Sequence, residues 1–364
     1  MSKLNESMGV PKYILIGGSP DKIEFLEDCP GYNYLPTILP ATRRIVVMGD
    51  IHGDYNLLIK LLKMANVIDD DLNWIGEDTH IVQVGDQVDR CRPFNVPCDH
   101  ELATYNDEAS DIKILKLFTE LNIKAMVSGG AVISLLGNHE IMNVMGQMNY
   151  VSRLGLKEFE NYKDPNNPSL TFKSGLMARK HAFKPGNEYS KFLACTRISA
   201  VIIGSNIFVH GGILPQFLKD LDITKNSDLE KINITMRRWL LGKINKKYVD
   251  KILNSTDISM FWTRILGAIP HNIGNNDPKC EKYLEPVLKI LQVGHMIIGH
   301  TPQFFANTLG INSTCGKELW RVDSGSSMAF NHFDKQFESK GIITDARKAQ
   351  VLEILNDSEF RIIA

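Results

Sequence analysis

Apolar positions along this chain fall into short runs that alternate with stripes of helical period. RIVVMGD (44–50) is β-branched and nearly continuous before it ends in Gly-Asp. Such a run predicts a strand buried on both faces. DYNLLIKLLKMANVI follows, with apolar residues at 57, 58, 61, 62 and 64–65, the stripe of an amphipathic helix. HIVQVGD (80–86) repeats the strand pattern, DIKILKLFTELNI (111–123) the helix and AVISLLGNHE (131–140) the strand. Three strand–loop–helix units in a row predict an α/β fold whose strands feed loops at one sheet edge. RISAVIIGSNIFVHGG (197–212) adds two strands broken by a turn at Gly204-Ser205-Asn206. SDLEKINITMRRWLLGK (227–243) reads as a helix, and HMIIGHT, LWRVDSG, QVLEIL and EFRIIA as further strands.

Prolines and turn residues dominate the first forty positions, so residues 1–40 read as an N-terminal extension. Residues 41–364 read as one domain with insertions at about 91–110 and 145–195. The second insertion is polar, with DPNNP at 164–168, and shows little chemistry of its own.

Composition narrows the class. The chain has 364 residues, 43% apolar and 23% charged, which suits a sizeable globular core. A net charge of -1 gives no basic field for nucleic acid. No apolar run reaches the ~18 residues that span a bilayer, so no membrane partner is expected. YILIGG (13–18) is too short for a secretory core. Six cysteines stand at 29, 91, 98, 195, 280 and 315 without a CxxC pair. That scatter predicts mostly free thiols in a reducing, cytoplasmic setting.

The candidate chemistry sits at five strand ends: GDIHG (49–53), GDQVDR (85–90), GNHE (137–140), VHGG (209–212) and GHT (299–301). In open α/β sheets the carboxyl edge of the strands is where ligands bind. Asp, His and Asn together suit manganese, iron or zinc better than calcium. Asp50, His52, Asp86, Asn138, His210 and His300 make six candidate ligands. Six exceeds what one open catalytic zinc needs and suits two divalent metal ions sharing a carboxylate. His80 and His295 begin their strands rather than end them, so they read as structural.

These five motifs, in this order, resemble the calcineurin-like metallophosphoesterases, and within them the phosphoprotein phosphatase family. GDIHGDYNLLIKLL, LLGNHEIMN, FVHGGI, FWTR and RVDSG are most similar to its Shewanella-like protein phosphatase branch, over roughly residues 40–330. The resemblance implies a sandwich of two mixed β-sheets flanked by helices. It implies that Asp50 and His52 hold one metal, Asn138, His210 and His300 the other, and Asp86 both. A metal-bridging hydroxide would attack phosphorus in line. His139 would act as general acid with Asp89 as its partner. Arg90, Asn138 and Arg264 would bind phosphate, and Asp323 would stand near the site. Arg237 and Arg238, on an amphipathic helix, are weaker choices for that second arginine. The implied substrate is a phosphoprotein, at Ser/Thr or Tyr. A dinucleoside polyphosphate hydrolase is the alternative, although its second motif tends to read GDLVNRGP. A catalytically dead binding module would have lost ligands, and none is missing. Regulatory partners are left open, and the contacts of the animal enzymes do not carry over, because the SAPNYC stretch is absent.

One departure from the family stands out. Cys91 replaces the glycine of GDxVDRG, and some fifteen residues follow before the next helix. Cys91, Cys98 and His100 leave three readings open: free thiols in a Pro-stiffened loop, a disulfide, or part of a zinc site. The free-thiol reading implies that oxidation of Cys91 blocks catalysis.

Overall fold

The computed structural model describes residues 20–253, 257–306, 308–334 and 347–364. The YILIGG segment and residues 1–19 of the proposed N-terminal extension lie outside the described residues. Two six-stranded sheets face each other. Their strands are β1 (Ile38–Leu39), β2 (Arg44–Met48), β3 (His80–Gln83), β4 (Ala131–Leu135), β5 (Arg197–Ile198), β6 (Ala200–Ile203), β7 (Asn206–Val209), β8 (His295–Ile298), β9 (Asn312–Thr314), β10 (Leu319–Arg321), β11 (Val351–Leu355) and β12 (Glu359–Ile363). One sheet runs β1-β6-β7-β8-β10-β9 and the other β12-β11-β2-β3-β4-β5. Both are mixed. In one, β2, β3, β4 and β5 are parallel. In the other, β7, β8 and β10 are parallel.

Strand alternation divides the core into layers. Ile45 and Val47 of β2 pack between the sheets with Val82, Ile133, Val201, Phe208 and Ile297. Their neighbours Val46 and Met48 face outward against Leu58, Leu62 and Phe118. The near-continuous apolar runs thus belong to strands covered on both sides. Helices Tyr55–Met64 and Asp111–Val127 supply that outer cover. Asp54 caps the first, its Oδ1 accepting the Leu57 N–H at 3.0 Å.

All six cysteines are paired: Cys29 with Cys195, Cys91 with Cys98, and Cys280 with Cys315. This corrects the expectation of free thiols and removes Cys91 and Cys98 as zinc ligands. Two of the pairs join residues 166 and 35 positions apart, so chain spacing does not reveal them. Among the described residues no helix is long and apolar enough to cross a membrane.

Candidate metal centre

The parallel strands of both sheets point their carboxyl ends at one seam. β2 delivers Asp50 and His52, β3 Asp86 and Asp89, and β4 Asn138 and His139. β7 and β8 of the facing sheet deliver His210 and His300. All eight side chains are buried. The turns that carry them are tight. His52, Asp86, Asp89 and His300 have φ of 48°, 56°, 73° and 65°, a left-handed conformation costing about 1–3 kcal/mol for such residues. Gly137 is needed for closeness, since a Cβ there would collide with the Asp86 carboxylate.

Asp86 occupies the centre. Its Oδ2 lies 3.3 Å from His210 Nε2, 3.9 Å from His52 Nε2 and 3.9 Å from His139 Nε2. Two groups of potential ligand atoms share it: His52, Asp86 and His139 form one, and Asp86, His210 and His300 the other. Asp50 Oδ2 is 3.8 Å from His52 Nε2, and both Asp50 oxygens accept the His300 N–H. Asn138 Oδ1 is 2.9 Å from His210 Nε2.

Neighbouring carbonyls orient the imidazoles, because a carbonyl can only accept. His210 Nδ1 donates to Val84 O at 2.8 Å, turning Nε2 toward Asp86. His300 Nε2 donates to Trp262 O at 3.0 Å, which leaves Nδ1 buried without a partner. His52 Nδ1 and Asp323 Oδ2 are likewise buried and unpartnered.

The electrostatics are unbalanced toward negative charge. Burial, then the charges of Asp323 and Asp86, hold the Asp50 carboxyl well above the usual range. Burial pushes Asp323 up to about 6. Burial would raise Asp86 too, but the imidazoles of His210, His139 and His52 outweigh it and hold Asp86 well below the usual range. Burial, then the Arg92 and His139 charges, keeps His52 well below the ordinary histidine range, and burial does the same to His300. The neutral imidazoles of His52 and His300, the crowded carboxylates and the orphaned lone pairs are a donor set that fits divalent cations.

Beside this cluster, His139 Nδ1 sits 2.8 Å from Asp89 Oδ2. Asn143 donates to Asp89 Oδ1 at 2.8 Å, and Arg179 Nε donates to Asn143 Oδ1 at 2.9 Å. Arg179 also pairs with Asp111 at 2.7 Å. This fully buried arginine comes from helix Gly175–Phe183, inside the 145–195 segment that shows little chemistry in the sequence. That expectation is therefore corrected. Glu140 is a brace: its carboxylate accepts the N–H groups of Gln87 at 2.7 Å, Gly137 at 2.7 Å and Asp86 at 2.9 Å.

The arginines divide unexpectedly. Arg264 lines the cleft and donates to His300 O at 2.7 Å. Arg237 and Arg238 instead pair with Asp21 and Glu24 of the N-terminal helix Pro20–Asp28. Arg90 does not reach the cleft. Its Nη1 lies against Gly53 O at 3.1 Å and Asp54 and Glu108 at 3.4 Å each, while its Nε is buried without a partner. Arg92, which sequence reasoning passes over, stands in the cleft wall with Nη2 2.8 Å from His52 Nε2. The cleft holds about 620 Å³, and Tyr150, Trp262, Phe305, Phe330 and Phe333 make much of its wall. His80 and His295 lie at the far ends of their strands, His80 against Asp78 O and His295 against the Phe360 ring.

Comparison with known proteins agrees with this geometry. The family model for calcineurin-like phosphoesterases matches residues 43–304. An uncharacterized protein of Acanthamoeba polyphaga mimivirus is 40% identical over 260 residues, which is 68% of this chain and 97% of that protein. Shewanella-like protein phosphatase 2 of Arabidopsis thaliana is 28% identical over 359 residues, covering 90% of this chain and 79% of that one. Among solved structures, a cold-active protein-tyrosine phosphatase of a psychrophilic Shewanella species superimposes with a TM-score of 0.62. The two are 20% identical, and the match covers 91% of this chain and 83% of the other.

Proposed function

Because this chain belongs to the calcineurin-like phosphoesterase family, we propose that it is a protein phosphatase whose cleft holds two divalent metal ions (Mn, Fe or Zn) around Asp86. The observation that carries the reading is the position of Asp86. It is one buried carboxylate shared by two groups of potential ligands, with the His139–Asp89 pair alongside. Asp50 and His52 would hold one ion, and Asn138, His210 and His300 the other. Bound there, the ions would neutralise the phosphate ester and bring a water to nucleophilic pKa, as paired metals do in phosphoryl transfer.

The chain's own groups do the rest. Asp89 holds the His139 ring through Nδ1 and stabilises its doubly protonated form. Nε2 of that ring faces the cluster, so its proton can pass to the leaving alkoxide. Arg264, fixed on His300 O, presents its remaining N–H groups to phosphate oxygens. The aromatic wall offers flat surfaces to an aryl ester. That favours phosphotyrosine as substrate, as does the fold shared with a protein-tyrosine phosphatase.

Metal-reconstituted protein assayed on phosphoserine, phosphothreonine and phosphotyrosine peptides and on dinucleoside tetraphosphate tests the reading. Cleavage of the tyrosine peptide with the highest kcat/KM is expected. Cleavage of the dinucleotide alone would overturn it.

A further inference from the structure

We propose that Arg92, two positions beyond Arg90, grips the phosphate together with Arg264, and that the Cys91–Cys98 bridge aims it. The proposal rests on the phosphatase reading and adds a residue to the site.

Arg90 is buried outside the cleft lining, its Nη1 held by Gly53 O, Asp54 and Glu108. Arg92 has the complementary placement. Its Nη1 donates to Asp89 O at 3.0 Å and Cys91 O at 2.8 Å, which fixes the guanidinium plane. Its Nη2 lies 2.8 Å from His52 Nε2, the nitrogen that faces the carboxylates, so an ion held there would release this contact and free the N–H for a phosphate oxygen. The plane lies against two rings, 4.7 Å from the centre of Phe330 and 5.5 Å from that of Tyr150. A planar fork held in this way loses little freedom on meeting a planar pair of phosphate oxygens. Arg264 stands in the same cleft wall, so the cleft offers two guanidinium groups beside the carboxylate cluster.

The loop explains why the role moves along the chain. Cys91 is buried, its N–H donates to Tyr150 O at 3.0 Å, and its sulfur is tied to Cys98. The residue next to it is thereby held over the cleft. Tyr150 is shared, since its ring packs 5.1 Å from that of His139 as well as under Arg92.

The test measures inorganic phosphate as a product inhibitor, and orthovanadate binding by calorimetry, on metal-loaded protein with metal content checked by mass spectrometry. Arg92→Ala should weaken both constants about tenfold or more, the loss of a charge-assisted hydrogen bond. Arg92→Lys should recover part of the loss, because it restores charge without the fork. Arg90→Lys should lower the melting temperature while phosphate inhibition stays within about twofold. Unchanged phosphate and vanadate constants in Arg92→Ala at wild-type metal content would overturn the proposal. So would a loss that simply tracks metal occupancy, which would make Arg92 a support for His52. If wild type itself neither binds phosphate nor cleaves a phosphoester, the phosphatase reading fails instead.

Discussion

Asp89 and His139 face each other 2.8 Å apart with both side chains buried, and Asp89 in turn is held by Asn143. The imidazole therefore has one nitrogen committed and one free to face the metal cluster. His139→Asn is expected to keep the metals and lose about 10²–10⁴ in turnover, the usual worth of a positioned acid. Asp89→Asn should lose turnover with little change in KM, because the ring would be held in the wrong tautomer. Steady-state kinetics with a metal assay check both, and unchanged turnover in His139→Asn would remove it as the acid.

Arg179 bears its load behind that pair. It sits between Asp111 and the Asn143–Asp89 contact with no exposure to solvent. Replacing it with Met would strand the buried Asp111 carboxylate and leave Asn143 Oδ1 unpaired, a loss of about 3–5 kcal/mol. Thermal or urea unfolding should show it. Adding Asp111→Asn should restore part of the stability, and failure of that rescue would argue against the pairing.

Asp323 gives a pH signature in metal-stripped protein. Burial raises its folded pKa to about 6, so the folded state holds its proton more tightly than the unfolded chain does. Its stability contribution is complete below the unfolded pKa of about 4 and fades as pH rises through about 6. Asp323→Asn cannot ionise. Its stability advantage over wild type should grow across that window and level off above it, as urea unfolding at a series of pH values would reveal. A flat difference would contradict the burial argument.

The Cys91–Cys98 bridge reverses the expectation attached to a free Cys91. The oxidised loop is the one that holds Arg92 over the cleft, so the bridged form is expected to be the active one. Closing so short a loop is worth about 2–3 kcal/mol on the chain-entropy account. The double substitution Cys91→Ser with Cys98→Ser should therefore raise KM and lower the melting temperature while leaving metal content intact. An unchanged KM would show that the loop needs no bridge.

Much of the site is legible in the sequence because each ligand-type residue closes a buried strand next to a glycine, a pattern with few alternative explanations. Most of the strands follow from the same apolar runs, whereas their division into two sheets follows only from the family resemblance. The arginines are another matter. Arg90 and Arg92 are neighbours on one loop with long, flexible stems, and only the three-dimensional position of Asp54 and Glu108 decides which one turns inward. Arg179 is hidden for a related reason, since the polar segment around it gives no sign that one side chain is driven into the core. The disulfides join residues that the fold, and not the spacing, brings together.

The candidate metal centre lies on a seam, with Asp50, His52, Asp86, Asn138 and His139 carried by one sheet and His210 and His300 by the other. No single strand order fixes the distance between the two halves. Val82, Ile133, Phe208 and Ile297, packed between the sheets, set it instead. The sandwich interior therefore works as a caliper. Its thickness sets the distance between the two halves of the candidate site, so residues well away from the cleft share in placing the ligand atoms.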